Sequence, residues 1–82
     1  LLLGQALKYI SRFRNKNGLE DLKKAYYFLI HIRNPQFNFN QDLIIRFIDQ
    51  FDNPEYALFE RLLNNHINDA IILLEDLIND YN

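Results

Sequence analysis

Leu3, Ala6, Leu7, Ile10 and Phe13 recur at the spacing that puts side chains on one face of an α-helix. After Asn15-Lys16-Asn17-Gly18 the period resumes with Leu22, Ala25, Tyr26, Leu29 and Ile32. Asn and Gly accept the left-handed backbone that closes a helix, so the four residues between the two stripes read as a stop and a tight turn. Two amphipathic segments, about 2–14 and 19–33, therefore predict an antiparallel helical hairpin. Glu20 and Asp21 fall in the first turn of the second segment, where the helix dipole favours anions. Asn34-Pro35 stops it.

The same period runs through the remaining chain. Residues 36–40 read as a linker whose Phe37 and Phe39 tuck back onto the core. A third helix is expected from Gln41, capped by Asn40, with Leu43, Ile44, Phe47, Ile48 and Phe51 inward. Asp52-Asn53-Pro54-Glu55 reads as a stop and restart, with Asn53 as cap and Pro54 at the first helical position. A fourth helix runs to about Leu63 with Leu58, Phe59, Leu62 and Leu63 apolar. Asn64-Asn65-His66 breaks the pattern, and a fifth helix over about 68–81 buries Ala70, Ile71, Leu74, Leu77 and Ile78. Valine and threonine are absent and no stretch alternates with period two, which argues against a sheet. The expected fold is all-α: one compact domain over 1–82, a bundle of about five short helices opened by an N-terminal hairpin.

Eighty-two residues of 49% apolar composition can build one core and no more. Twelve Phe and Tyr residues in so short a chain suggest apolar surface left over, so a homodimer is expected. No run nears the roughly 18 apolar residues of a membrane span. The lack of cysteine removes disulfides, thiol nucleophiles and thiolate metal sites, and fits a reducing cytoplasm. Leu1-Leu2-Leu3 is too short for a signal core, and without an initial Met the chain reads as a fragment whose N-terminus lies upstream.

Charge is divided unevenly. Residues 1–36 hold seven basic and two acidic residues, a balance of +5, and residues 37–82 hold two basic and nine acidic, a balance of −7. The hairpin over 2–33 is thus a basic region attached to an acidic helical part over 41–81. Such a division suits a basic face for an anionic partner, or two halves that neutralise each other within one chain or across a dimer.

One stretch carries a resemblance. Leu3-Gly4-Gln5-Ala6-Leu7-Lys8-Tyr9-Ile10-Ser11-Arg12, then Lys16, then Glu20-Asp21-Leu22-Lys23-Lys24-Ala25, then Leu29, resembles a family of small bacteriophage proteins. That family has the pattern GN-x-x-KY-x-x-R, a lysine a few residues on, and DL-x-KA-x-x-YL. Most of its members have no assigned function, and some are described as phage nucleotide kinases. Gln5 stands where the family usually has asparagine, and Phe28 where it usually has tyrosine, so a hydroxyl is lost. The resemblance covers about a third of the chain and ends before Pro35. It implies a nucleotide or other phosphorylated ligand.

The residues allow such a site. Lys8 and Arg12 lie one helical turn apart on the face opposite the apolar stripe, Lys24 lies on the outer side of the second segment, and Lys16 sits at the turn. Arginine grips phosphate oxygens with a two-pronged fork and lysine acts as a point charge. Tyr9 or Tyr27 supplies a ring on which a base can stack. The same residues allow a purely structural role, in which Asp21 pairs with Arg12 or Lys8 and locks the hairpin while the lysines stay solvated. The expected ligand-binding set is Lys8, Tyr9, Arg12, Lys16, Asp21 and Lys24. The competing function is a non-enzymatic module whose hairpin contacts a host or phage protein.

Other constellations are thin. Gly4 and Gly18 are the only glycines, so there is no phosphate-binding P-loop, and kinase chemistry would need another kind of site. Asp49-x-x-Asp52 puts two carboxylates at neighbouring-turn spacing but the second falls where a helix ends, and His31 and His66 lack ligand-spaced partners, so no metal or other cofactor is expected. Ser11 has no His/Asp arrangement near it in sequence. Nucleic-acid binding through Lys23, Lys24 and Arg33 ranks below the other readings because Tyr26, Phe28 and Ile30 share that helix and the whole chain is acidic.

Overall fold

Amphipathic stripes on short segments can be buried only against one another, and in this chain they meet as five helices. The computed structural model describes residues 1–33 and 37–81. The helices are α1 (Leu2–Arg12), α2 (Leu19–Ile30), α3 (Gln41–Ile48), α4 (Glu55–Leu63) and α5 (Ile67–Asp80). No strand occurs among the described residues, and the Cα radius of gyration is 11.8 Å. The all-α bundle expected from periodicity is the fold observed.

α1 packs along α2, α2 and α4 each pack on α5, α3 leans on α4, and α1 touches α4. Tyr9 meets Phe28 and Arg12 meets Asp21, so residue numbers fall on one helix as they rise on the other: the hairpin is antiparallel. The core is built from Leu3, Ala6, Ile10 and Phe13 of the first segment, Leu22, Ala25 and Leu29 of α2, and Leu58, Phe59, Leu62 and Leu74 of α4 and α5, all buried. Each such Leu, Ile or Phe contributes about 1.5–3 kcal/mol by leaving water.

The connection is longer than its sequence suggests, spanning residues 13–18. α1 ends at Arg12 rather than Arg14; the Asn15 N–H reaches the Arg12 carbonyl and the Gly18 N–H the Phe13 carbonyl. Gly18 has φ 54°, and a Cβ there would lie 2.7 Å from the Tyr81 hydroxyl oxygen. The backbone therefore favours glycine, and any side chain there would also have to displace the Tyr81 hydroxyl. Tyr81 also meets Phe13 edge-on at 6.1 Å, so the residue after α5 seals the hairpin turn.

Several local expectations need correction. α2 ends at Ile30, where the His31 N–H caps back onto the Phe28 carbonyl and the Ile32 N–H onto the Leu29 carbonyl, and not at Arg33. Asn34-Pro35, read as its stop, and Gln36 of the linker lie outside the described residues. Phe37 packs on the core and Asn65 holds its backbone at both N–H and carbonyl, but Phe39 is exposed. Asn40 caps α3 as expected, accepting from the N–H groups of Asp42 and Leu43 at 2.8 and 3.2 Å. Within α3, Ile44 and Ile48 are buried and Phe47 partly so, whereas Leu43 is 61% exposed because α3 has only α4 to lean on. Pro54, not Asn53, holds the cap position of α4; main-chain bonds from Tyr56 N–H to the Asp52 carbonyl and from Leu58 N–H to the Pro54 carbonyl close that turn without a side chain. α5 begins at Ile67, and of its expected stripe Ala70 and Leu74 are buried while Ile71, Leu77 and Ile78 are half-buried. No helix among the described residues is long and apolar enough to cross a membrane.

Candidate functional site

The outer face of the hairpin gathers its charges around one ring. Tyr9 on α1 is half-buried and lies parallel to Phe28 on α2, centroids 5.9 Å apart with 6° between planes. Around Tyr9 stand the Lys8 ammonium at 4.7 Å, the Arg12 guanidinium at 4.7 Å and the Lys24 ammonium at 5.5 Å from the ring centroid. A cation over an aromatic face is stabilised by about 0.5–1 kcal/mol at exposed sites, which offsets part of the repulsion among three like charges. The arrangement follows from helical spacing. Lys8 and Arg12 are one turn apart, Tyr9 sits between them, and Lys24 arrives from α2 one turn before Phe28.

Below this layer lies the one carboxylate of the cluster. Asp21 is fully buried. Arg12 donates to it twice, from Nε to Oδ2 at 3.3 Å and from a terminal nitrogen to Oδ1 at 3.2 Å. The Asn17 backbone N–H donates to Oδ2 at 3.1 Å. Asp21 occupies the third position of α2 and reaches back across the turn, as acidic residues there do when they satisfy free N–H groups. Burial pushes its carboxyl up, but the Arg12 and Asn17 hydrogen bonds and the Arg12 charge together outweigh burial and leave it below the ordinary carboxylate range.

The expected site residues therefore divide by role. Arg12 and Asp21 are the pair anticipated as a structural lock, and that bond exists; Lys8, the other partner considered for Asp21, makes no ion pair among the described residues. Arg12 still presents a third of its side chain to solvent. Lys8 and Lys24 are exposed and unpaired by any carboxylate among the described residues. Lys16 is exposed on the turn and is not part of the group around Tyr9. Tyr9 has its ring engaged by Phe28 and the cations, so it organises charge more than it offers a bare stacking face. Tyr27 is 57% exposed and leaves ring surface open to solvent beside its contacts with Phe28 and His31.

A second arginine–carboxylate clasp was not anticipated. Arg14 donates from Nε to Glu55 Oε2 at 2.7 Å and from a terminal nitrogen to Oε1 at 3.1 Å. This two-pronged bond raises the Arg14 pKa and ties the hairpin turn to the first turn of α4. The partners are 41 residues apart, and no sequence signal links them. On the other side of α2, the Tyr26 hydroxyl donates to Glu75 of α5 at 2.9 Å, and that bond raises the Tyr26 pKa.

The remaining weak candidates resolve simply. Ser11 donates to the Lys8 carbonyl, and His31 Nδ1 lies 2.7 Å from the Tyr27 carbonyl. No group of three His, Asp or Glu residues among those described is placed to hold a metal ion. Clefts occur elsewhere on the surface, one of about 480 Å³ between the end of α2 and the start of α5 lined by residues such as Ile30, Arg33, His66 and Asn68. The cation cluster is an open face, which suits binding of an anion better than a reaction that must exclude water.

Neither the curated proteins nor the solved structures yield a match to this chain. Residues 1–30, which span α1, the turn and α2, match the model of a family described as a protein of unknown function, DUF3310, so the hairpin that carries the cation cluster is the part of the chain similar to a known family.

Proposed function

We propose that the outer face of the hairpin binds a phosphorylated ligand, a nucleotide foremost, through Lys8, Lys24 and the exposed part of Arg12, with Lys16 as a more distant cation. The observation that carries this reading is the charge count around Tyr9: three cations within 5.5 Å of one ring centroid, and one buried carboxylate that pairs with Arg12 alone among the three. Two lysines held near a guanidinium, with no anion of their own among the described residues, are a standing electrostatic cost, and phosphate oxygens would remove it. Resemblance to a family with members described as phage nucleotide kinases supports the choice of ligand and a phage-type, cytoplasmic setting. The open geometry favours an accessory binding protein over a catalyst.

Calorimetric titration with inorganic tripolyphosphate tests the reading. The parent protein is expected to bind at low ionic strength and to weaken as salt rises. The Lys8→Ala/Lys24→Ala variant is expected to lose at least ten-fold in affinity. Absence of binding by the parent at millimolar tripolyphosphate would refute it.

A second reading, a non-enzymatic module that contacts a host or phage protein, draws on a different observation. Leu7, Phe39, Leu43, Ile44, Phe47 and Leu63 line a shallow apolar cleft of about 190 Å³. Leu43 and Phe39 at its edge are exposed. A protein partner or a second copy of the chain would cover it, and light scattering at tens of micromolar separates a homodimer from a monomer.

A further inference from the structure

Lys24, Tyr27 and Phe28 of α2 and His31, the αR residue that caps it, are spaced i, i+3, i+4 and i+7, which places them on one face. The rings of Tyr27, Phe28 and His31 form a continuous row with Tyr9. Tyr9 lies parallel to Phe28 at 5.9 Å, Phe28 meets Tyr27 edge-on at 5.7 Å and 78°, and Tyr27 meets the His31 ring at 4.4 Å. The row begins inside the cation cluster at half-buried Tyr9, runs out through Tyr27, which is 57% exposed, and ends at exposed His31.

The exposed end is held in place. A carbonyl oxygen can only accept, so the 2.7 Å contact between His31 Nδ1 and the Tyr27 carbonyl is a hydrogen bond donated by Nδ1–H. That bond fixes the imidazole tautomer and orientation beside the Tyr27 ring, and it leaves Nε2 as the acceptor of the neutral ring on an exposed residue. Single exposed aromatics are ordinary on protein surfaces. A tyrosine braced by a fixed histidine and joined ring by ring to three cations is a more specific arrangement.

We propose that Tyr27 and His31 form a nucleobase subsite, so that the phosphates of the ligand lie on Lys8, Arg12 and Lys24 while its base stacks on Tyr27. This rests on the anion-binding reading above and adds to it the class of group that the phosphate must carry. A planar π-face gains from stacking whatever the base, whereas Nε2 of His31 offers one acceptor to an exocyclic amine. The subsite therefore prefers a base to a sugar phosphate, with little discrimination among bases.

The experiment compares ATP with inorganic tripolyphosphate on the parent chain, Tyr27→Ala and Tyr27→Phe, with circular dichroism confirming that each variant is folded. Tyr27→Ala should weaken ATP roughly ten-fold or more and leave tripolyphosphate unchanged. Tyr27→Phe keeps the ring and should bind ATP like the parent. ATP affinity unchanged in Tyr27→Ala would overturn the base subsite and leave the anion site standing. Failure of the parent to bind either compound would overturn both. A short oligothymidylate that binds more tightly than ATP, with the same dependence on Tyr27, would support the subsite and identify single-stranded nucleic acid as the carrier of the base.

Discussion

The hairpin and the three helices behind it treat charge in opposite ways. In α3 to α5 the carboxylates Asp42, Asp49, Asp69, Glu75, Asp76 and Asp80 stand exposed, where water screens them. In the hairpin the carboxylate at the site, Asp21, is fully buried beneath Arg12, and lysines with no ion-pair partner among the described residues crowd above it. Glu55 is the exception in the acidic half, buried and bonded, and its partner Arg14 belongs to the hairpin turn. Apart from the surface Arg61–Glu60 pair within α4, the ion pairs among the described residues are thus organised by the basic hairpin. Acidic residues not engaged by it are, for the most part, solvated surface.

The largest effect expected from breaking this difference is at Arg12. Arg12→Ala leaves a buried carboxylate with only the Asn17 N–H, at a cost of about 3 kcal/mol, the low end for a broken buried pair because Arg12 is itself partly exposed. Asp21→Ala should cost less, about 2 kcal/mol, because the freed guanidinium can turn to water. The double variant should lose less than the two losses combined. Thermal unfolding reads all three, at roughly 4–8 °C per kcal/mol for a domain of this size. Equal small losses at both positions would show that the pair is surface decoration.

Acid should act on the same bond. The Asp21 pKa lies below its ordinary value of 3.8, so the folded state holds this proton less tightly than the unfolded chain. Its contribution is fully present above about pH 3.8 and is lost as pH falls from there through the folded-state pKa. The parent should lose stability more steeply than Asp21→Asn across that window. Parallel curves for the two would contradict the assignment.

Much of this was legible in sequence, and the failures share a cause. Helix positions, the Asn40 cap and the Gly18 turn are local, and period and turn chemistry specify them. Asp21 sits in a first turn where an acid is expected, but its complete burial depends on how α1 crosses above it. The Arg14–Glu55 clasp joins residues 41 apart, and only the packing of α1 on α4 brings them together. Leu43 reads as core because its spacing is right, yet α3 has too few neighbours to cover it. Lys8 and Arg12 are neighbours by helical spacing, whereas their convergence with Lys24 on Tyr9 belongs to the hairpin pairing.

A smaller effect is expected at the second clasp. Arg14 is 57% exposed, so Arg14→Ala should cost no more than about 1 kcal/mol, most of it from leaving Glu55 without a partner. A loss as large as that of Arg12→Ala would mean that the hairpin is anchored to α4 more than to itself.

The smallest effect on stability belongs to the lysines, and it decides most. Thermal unfolding of the Lys8→Ala/Lys24→Ala variant, with and without saturating ATP, separates the part of the hairpin that folds from the part that binds. Without ligand the variant should unfold within about 0.5 kcal/mol of the parent, as exposed surface changes do. With ATP at 100 times its dissociation constant the parent should gain about 2.7 kcal/mol and the variant little or nothing. A variant that unfolds far below the parent, or a parent whose midpoint ATP leaves unmoved, would contradict the account.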